Sequence, residues 1–408
     1  MVVGAKRRGS EGTPRRLIWP ARLAAIGLGL LVPVLVLEIC LRVFGPFLPG
    51  NYDTGAYVER HPLLGHFHVP NFSGWIKAPH FTTRIDINPM GLRDPRTSYE
   101  KPPGTFRILA LGDSYVEAAQ VDASEMVTTR LEGLLNQGAS HPIDVINAGV
   151  FGYGTGQELL LLDQEGVRYQ PDLILLFFCQ ANDVANNDYR LELIGQDLNR
   201  ALKPYFDLNA DGTLRFIPAP PPHPITGLRQ RLRNVSLLYN VLETGVVYKF
   251  ELQDPREPWN AVDGLIDPVQ GKYDLRPGGE WALGWHITAA LIERIRDRAA
   301  AIGVPLAVVS IPSWRMLDRG YWNKDDNKRR LDSGRSSPDA PSWQLRDISN
   351  RLNVPFFSLM PAFQSRVDDD GLYTYFIPDD LHWTPSGHAL AATAVADFLR
   401  EQGLLPPR

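Results

Sequence analysis

The sequence predicts a three-layer α/β sandwich, a parallel sheet of about five strands with helices on both faces, behind an N-terminal transmembrane helix. Three observations predict it. From residue 107 to residue 402, short apolar runs of strand length alternate with segments of helical period. One run, Asp172–Cys179, is almost wholly apolar, as a central strand covered on both faces must be. A basic segment with Lys6, Arg7, Arg8, Arg15, Arg16 and Arg22 precedes the apolar run Leu23–Leu37.

In chain order, residues 1–22 read as a basic cytoplasmic tail and residues 23–42 as a transmembrane anchor. The apolar run reaches the roughly 20 residues of a span only if it continues through Glu38 to Leu41, with Glu38 at the far interface, where a charge costs little. A cleaved signal peptide would need a small-x-small site after the run, and none is evident. Basic residues mark the cytoplasmic side, so the rest of the chain is expected outside the cytoplasm. Residues 43–105, rich in Gly, Pro, His and aromatics, read as a linker and a small irregular or β-rich region.

Within residues 106–402, strands are expected at Arg107–Leu111, Ile143–Asn147, Asp172–Cys179, Pro305–Ile311 and Pro355–Ser358. Helices are expected over 124–137, from a Thr155–Glu158 capping box to Val167, over Trp285–Ile302 and Trp343–Leu352, and from Pro385 to Gln402. Two polar, Pro/Gly-rich and aromatic stretches, about 187–283 and 313–341, interrupt the alternation as insertions over one end of the sheet.

Composition excludes several classes. The chain of 408 residues has a formal net charge of −4 and no basic stripe interleaved with aromatics, so nucleic-acid binding is not expected. The 2 cysteines, Cys40 and Cys179, fall too far apart in the scheme above to bridge, which excludes a disulfide scaffold. His61, His66, His68 and His80 match no zinc spacing. Gly149-x-x-Gly-x-Gly lacks the dinucleotide-binding order, and no Walker lysine exists. No cofactor and no metal are expected. Oligomeric state is not legible.

In a parallel α/β sheet, function gathers at the carboxyl ends of the strands. There the chain reads Gly112-Asp113-Ser114-Tyr115, then Asn147 through Gly154, then Gln180-Ala181-Asn182-Asp183. Before the last helix it reads Asp379-Asp380-Leu381-His382. This ordered set of four blocks resembles the SGNH (GDSL-like) hydrolase family over residues 106–402. The resemblance implies a flavodoxin-like sheet, Ser114 as nucleophile and His382 as its base. It implies Asp379, with two residues between it and His382, as the carboxylate that orients the base. Gly152 and Asn182, with the Ser114 amide, would form the oxyanion hole. The sequence departs from the family pattern at Tyr115, where leucine is commonest, and at Gln180-Ala181, where glycines are usual. Related acetyltransferases use an aspartate one residue closer to the histidine, which here is Asp380. Asp113 is expected to order the turn, His388 to be a helix-start contact, and Trp281 and Trp285 to pack an insertion onto the core.

The residue types fit the chemistry. A serine hydroxyl needs a base within hydrogen-bond reach, histidine titrates near neutrality, and a carboxylate fixes its tautomer. Glycine admits close backbone approach, and asparagine adds a donor without charge. The expected activity is that of an extracytoplasmic serine esterase acting on acylated small molecules or O-acylated envelope glycans. Two further functions fit the same residues: an O-acyltransferase that uses Ser114 on a polysaccharide, and a non-catalytic envelope assembly protein.

Overall fold

The computed structural model describes residues 18–44, 52–53, 57–194, 203–221, 228, 231–232, 235–242 and 271–407. Helix α1 (Ile18–Phe44) is 27 residues of nearly unbroken apolar sequence. Its Arg22–Phe44 portion, 23 residues, is long and apolar enough to cross a membrane, and its residues are exposed apart from the half-buried Glu38 and Leu41. The basic residues Lys6, Arg7, Arg8, Arg15 and Arg16 lie outside the described residues. Cys40, exposed on α1, and Cys179, buried in the sheet, are both free thiols.

The region before the domain holds short antiparallel strands. These are β1 (Tyr52–Asp53), β2 (Val58–His61), β3 (Gly65–His68), β4 (Ser73–Ala78) and β5 (Phe81–Asp86). β2 pairs with β3, and β4 pairs with both β1 and β5. The domain then runs β6 (Phe106–Gly112), α2 (Ser114–Glu117), α3 (Val127–Asn136), β7 (Ile143–Gly149), α4 (Thr155–Gln164), β8 (Leu173–Cys179) and α5 (Asp183–Asn187). An antiparallel hairpin of β9 (Tyr205–Leu208) and β10 (Leu214–Ile217) belongs to the first insertion. After it come α6 (Gly279–Ala301), β11 (Leu306–Ile311), α7 (Ala340–Leu352), β12 (Phe356–Ser358), α8 (Met360–Asp370) and α9 (Pro385–Glu401).

The central sheet has 5 strands in the order β12-β11-β8-β6-β7, all parallel. β7 and β8 flank β6 on opposite sides, so the winding reverses beside β6, as in a flavodoxin-like sheet. Side chains alternate across it with period two. Ile108, Ala110, Leu175, Phe177, Ala307 and Val309 face a core closed by α3, α8 and α9. Leu109, Leu111, Ile174, Leu176, Phe178 and Val308 face the core closed by α4, α6 and α7. Both faces are covered, which explains why Leu173–Cys179 is apolar at every position. Trp281 and Trp285, at the start of α6, are buried in the second core.

The structure corrects two local expectations. The 124–137 helix is interrupted: Ala123–Glu125 is a 3₁₀ turn, and α3 starts at Val127. Thr155 and Glu158 form no capping box. Gly154 is the cap residue, and the side chain of Asn187 from α5 accepts from the Gly156 amide at 3.1 Å instead. Glu158 is thereby freed to turn inward, where it is fully buried. Thr384 does cap α9, accepting from the Gly387 amide with Pro385 in the first turn.

Helix α2 sits against β7 with no room for a side chain between them. A Cβ at Gly149 would lie 2.2 Å from the Glu117 nitrogen and 2.6 Å from the Val116 carbonyl carbon. Both are backbone atoms and cannot swing away. Gly149→Ala is therefore expected to lower stability by about 1–3 kcal/mol or more, read as a fall in the denaturant midpoint. An unchanged midpoint would show that α2 is free to move off β7.

Candidate active site

The site forms where β6 and β8 end. β6 stops at Gly112, and Asp113 caps the one-turn helix α2, its Oδ1 accepting from the Tyr115 amide at 2.9 Å. This puts Ser114 first in the helix, at the carboxyl edge of the sheet. The other Asp113 oxygen accepts from Asn182 Nδ2 at 3.0 Å, tying the loop after β8 to the turn after β6. Burial pushes the Asp113 carboxyl above its ordinary range, despite these hydrogen bonds.

His382 arrives from the far end of the domain. Its Nε2 lies 2.7 Å from Ser114 Oγ, and its Nδ1 lies 2.7 Å from Asp380 Oδ1. With Nδ1–H donated to the carboxylate, Nε2 carries the lone pair and accepts from the serine hydroxyl. Burial alone would raise the Asp380 carboxyl. The His382 hydrogen bond and charge outweigh it and hold Asp380 below the usual range.

Asp379 is not the partner of the base. Its side chain is 93% exposed and lies 3.5 Å from His80 Nε2, whereas Asp380 is 27% exposed against the ring. The reason is backbone geometry. Asp379 and Leu381 both take left-handed φ, 63° and 70°. The chain coils so tightly that the Asp380 and His382 side chains fall on one side and Asp379 on the other. The Leu381 amide donates to Ile377 and the Ile377 amide to His382, each at 2.8 Å, closing the coil.

Three further residues build the site that sequence reasoning did not single out for it. Tyr115 Oη donates to the Leu381 carbonyl at 2.8 Å, and its ring packs edge-on against Trp383. The leucine common at that position could not make this bond, which is the signal that was present in the sequence. The Gln120 side chain hydrogen-bonds Asp380, and Thr83 of β5 donates to the Gln120 carbonyl at 3.1 Å. The Glu117 carboxylate, fully buried, accepts from the Phe151 amide and lies 3.5 Å from His68 Nε2. Burial raises Glu117, but the His68 contact and the Arg93 charge prevail and keep it below the usual range.

The remaining expected residues are placed as follows. Gly152 follows Phe151 in the turn after β7, with a left-handed φ of 70°. Glu117 holds that turn from one side, and His66 holds it from the other, Nε2 donating to the Phe151 carbonyl at 2.6 Å. Asn182 stands at the end of β8 on Asp113, as described. Behind it, burial and neighbouring carboxylates push Glu158 and Asp183 well above the carboxylate range. Gln180 donates to Ser342 of α7 at 2.8 Å. His388 Nδ1 accepts from the Val127 amide at 3.2 Å, so it joins α9 to α3. Among the described residues no group of His, Cys, Asp or Glu is arranged to hold a metal ion. His61, His66, His68 and His80 are spread over separate contacts. A cavity of about 390 Å³ lined by His80, Thr83, Gln120 and Pro378 opens beside the Asp380 loop. A larger one, about 700 Å³, lies between the β9–β10 hairpin and helices α4 and α6 and includes no residue of the Ser114 site.

His388, buried, and His66, half-buried, make stability depend on pH. Burial pushes His66 down to about 4 and His388 down to about 3, from an ordinary 6.5. The unfolded chain takes up protons near 6.5 while the folded chain does not, so stability falls as pH drops from 6.5 toward 4 and below. The denaturant midpoint is expected to decline over that window. His388→Asn, which retains an acceptor for the Val127 amide, is expected to flatten the decline. An unaltered slope would remove His388 from this account.

Residues 281–407 match the family described as the SGNH hydrolase-like domain of the acetyltransferase AlgX. Comparison with curated proteins gives no match. Solved structures similar to the chain include a lipase/acylhydrolase from Enterococcus faecalis, 15% identical over 74% of this chain and 98% of that one, with a TM-score of 0.36. The esterase EstA from a Pseudoalteromonas species is 14% identical over 73% and 99%, with a TM-score of 0.37. An acetyl xylan esterase is 10% identical over 73% and 99%, with a TM-score of 0.38. At this distance the likenesses speak to neither substrate nor activity. The matched stretch supplies Asp380, His382 and strands β11 and β12, and β6, which precedes it, delivers Ser114 to that histidine. Residues 281–407 of the chain are thus similar to an SGNH hydrolase-like domain.

Proposed function

We propose that the chain is a membrane-anchored serine acyltransferase that carries an acyl group on Ser114 and delivers it to a glycan hydroxyl outside the cytoplasm. The observation that carries this reading is the relay of two 2.7 Å contacts from Ser114 Oγ through His382 to Asp380. Ser114 Oγ attacks the carbonyl carbon of an acyl ester while its proton passes to His382 Nε2. Gly152, Asn182 and the Ser114 amide supply donors to the oxyanion. Asn182 Nδ2 has two hydrogens, and Asp113 takes one, which leaves the other for this task. The tetrahedral intermediate collapses, the C–O bond to the donor alcohol breaks, and the alcohol leaves with the proton from Nε2. An acceptor hydroxyl then gives its proton to Nε2, attacks the acyl-Ser114 carbonyl and restores the serine. Asp380, held ionised, keeps the productive tautomer and stabilises the imidazolium.

Two features favour a hydroxyl over water as acceptor. The orienting carboxylate is Asp380, two residues before His382 and one closer than Asp379, the spacing of the acetyltransferase branch. The family matched by residues 281–407 is likewise described as an acetyltransferase. Hydrolysis is the second reading, favoured by the exposure of the His382 side chain, 20%, which admits water to the base. A non-catalytic assembly role is disfavoured by the complete relay. The all-round apolar α1 and the basic residues before it support a single span with residues 43–408 outside the cytoplasm.

The test is mass spectrometry after incubating the protein with an aryl acetate and a panel of glycans. Acetyl-Ser114 and O-acetylated glycan are expected. Release of free acetate alone, with acceptor present, would establish the hydrolase instead. Ser114→Ala is expected to lose about a millionfold in rate, and retention of more than a small fraction of activity would exclude Ser114 as the nucleophile. Asp380→Asn is expected to cost about 10⁴ in kcat, with Asp379→Asn close to the parent. The reverse ranking would return the orienting role to Asp379.

A further inference from the structure

Glu38 lies inside the apolar helix α1, where a lone carboxylate is costly. It is not alone. The Ser236 hydroxyl donates to it at 3.0 Å, the Leu237 amide at 2.8 Å and the Leu238 amide at 2.9 Å. Arg42, one turn further along α1, donates to Glu38 at 2.8 Å and to the Val235 carbonyl at 3.1 Å. A stretch of the first insertion, nearly 200 residues away in sequence, is thus fastened to the outer part of the apolar helix.

The described residues of 228–242 are helical apart from Ser236. The Ser236 amide still donates to Leu232, and the Asn240 amide to Ser236, so the helical pattern passes through it. Leu228, Leu232, Val235 and Leu242 recur at intervals of four, three and seven, which places them on one helical face. That face is not covered: Leu228 is 60% exposed, Val235 68% and Leu242 57%. Leu237 is buried. Arg229, Arg231 and Arg233 alternate with the first of these apolar positions.

We propose that the described helical residues of 228–242 lie in the plane of the membrane interface beside α1, with Leu228, Leu232, Val235 and Leu242 in the acyl-chain boundary and Arg231 among lipid phosphates. The proposal rests on the reading of α1 as the anchor, and it adds a second contact with the bilayer. The level of attachment selects lipid as the occupant of the exposed face. Glu38 precedes Phe44, the end of α1, by six residues, about 9 Å along a helix. Interfacial helices bury their apolar face to about 5–10 Å. Hydrogen bonds to Glu38 and Arg42 hold the segment at that depth, and Arg231 suits the anionic headgroups there. A span with one in-plane helix attached holds the domain in one orientation, whereas a single span alone leaves it free to swivel.

The test uses the full chain with Cys40→Ala, Cys179 being buried from reagents. Val235→Cys, Leu242→Cys and, on the exposed β9–β10 turn, Asp211→Cys are each labelled with an environment-sensitive nitrobenzoxadiazole. The proteins are reconstituted in vesicles of phosphatidylethanolamine and phosphatidylglycerol containing lipids that carry a nitroxide near the headgroup. Labels at 235 and 242 are expected to emit to the blue of the label at 211 and to be quenched several-fold more strongly. Labels at 235 and 242 that behave like the label at 211, in protein retained after alkaline carbonate washing, would overturn the proposal and point to a protein partner for this face. Protein lost in the carbonate wash would overturn the anchor reading itself, and the proposal with it.

Discussion

Ser114 and His382 meet only because the loop between Phe376 and Trp383 is clamped onto Tyr115. A single hydrogen bond from the Tyr115 hydroxyl to the Leu381 carbonyl joins segments 266 residues apart. It lands on the one residue whose left-handed backbone swings His382 toward the serine. Left-handed φ at a non-glycine residue costs on the order of 1–3 kcal/mol and persists only where the surroundings over-determine it. Here two such residues, Asp379 and Leu381, are held by hydrogen bonds within the coil and by the rings of Tyr115, Phe363 and His388 around Trp383. The loop's strain and the base's aim have the same origin.

The serine end is equally over-determined. Gly149 lets α2 lie against β7, and Asn147 ties the two by donating to the Val116 carbonyl at 2.8 Å and accepting from the Gly149 amide at 3.0 Å. Glu117, three residues beyond Ser114, reaches across to the Phe151 amide. Arg93, almost fully buried, donates to the Glu117 and Val121 carbonyls from the segment that precedes the domain. His66 and Thr83 come from that same region to hold the Phe151 turn and the Gln120 backbone. Residues 57–96 therefore act as a brace on two walls of the site rather than as a tether leading to it. A site braced in this way reorganises little when charge develops, which is the condition under which fixed donors stabilise an oxyanion.

Much of this was legible in the amino-acid sequence alone. Strand β8 could be read because burial on both faces forces every residue from Leu173 to Cys179 to be apolar. The meeting of Ser114 and His382 could be read because the four blocks occur in order at strand ends and the sheet edge, where a parallel α/β sheet brings its loops together. The long apolar helix α1 could be read because its residues are apolar on nearly every side.

What only the tertiary structure decided are properties of how separate segments meet. Asp379 and Asp380 are equivalent in composition and nearly so in position. The choice between them depends on two left-handed φ angles held by the Tyr115 hydroxyl on Leu381 and by the rings of Tyr115, Phe363 and His388 around Trp383, contacts that the sequence of the loop does not register. Thr155 and Glu158 have the spacing of a capping box, but Asn187 satisfies the helix start from another helix and leaves Glu158 to be buried. Glu38 reads as a tolerated charge at an interface, while its partners, Ser236 to Leu238, lie in an insertion without strand or helix periodicity strong enough to read. Sequence pattern determines what each element is and which face it buries, because those depend on neighbours three or four residues away. Which carboxylate pairs with His382, and which segment hydrogen-bonds Glu38, depend on neighbours that only the folded chain supplies.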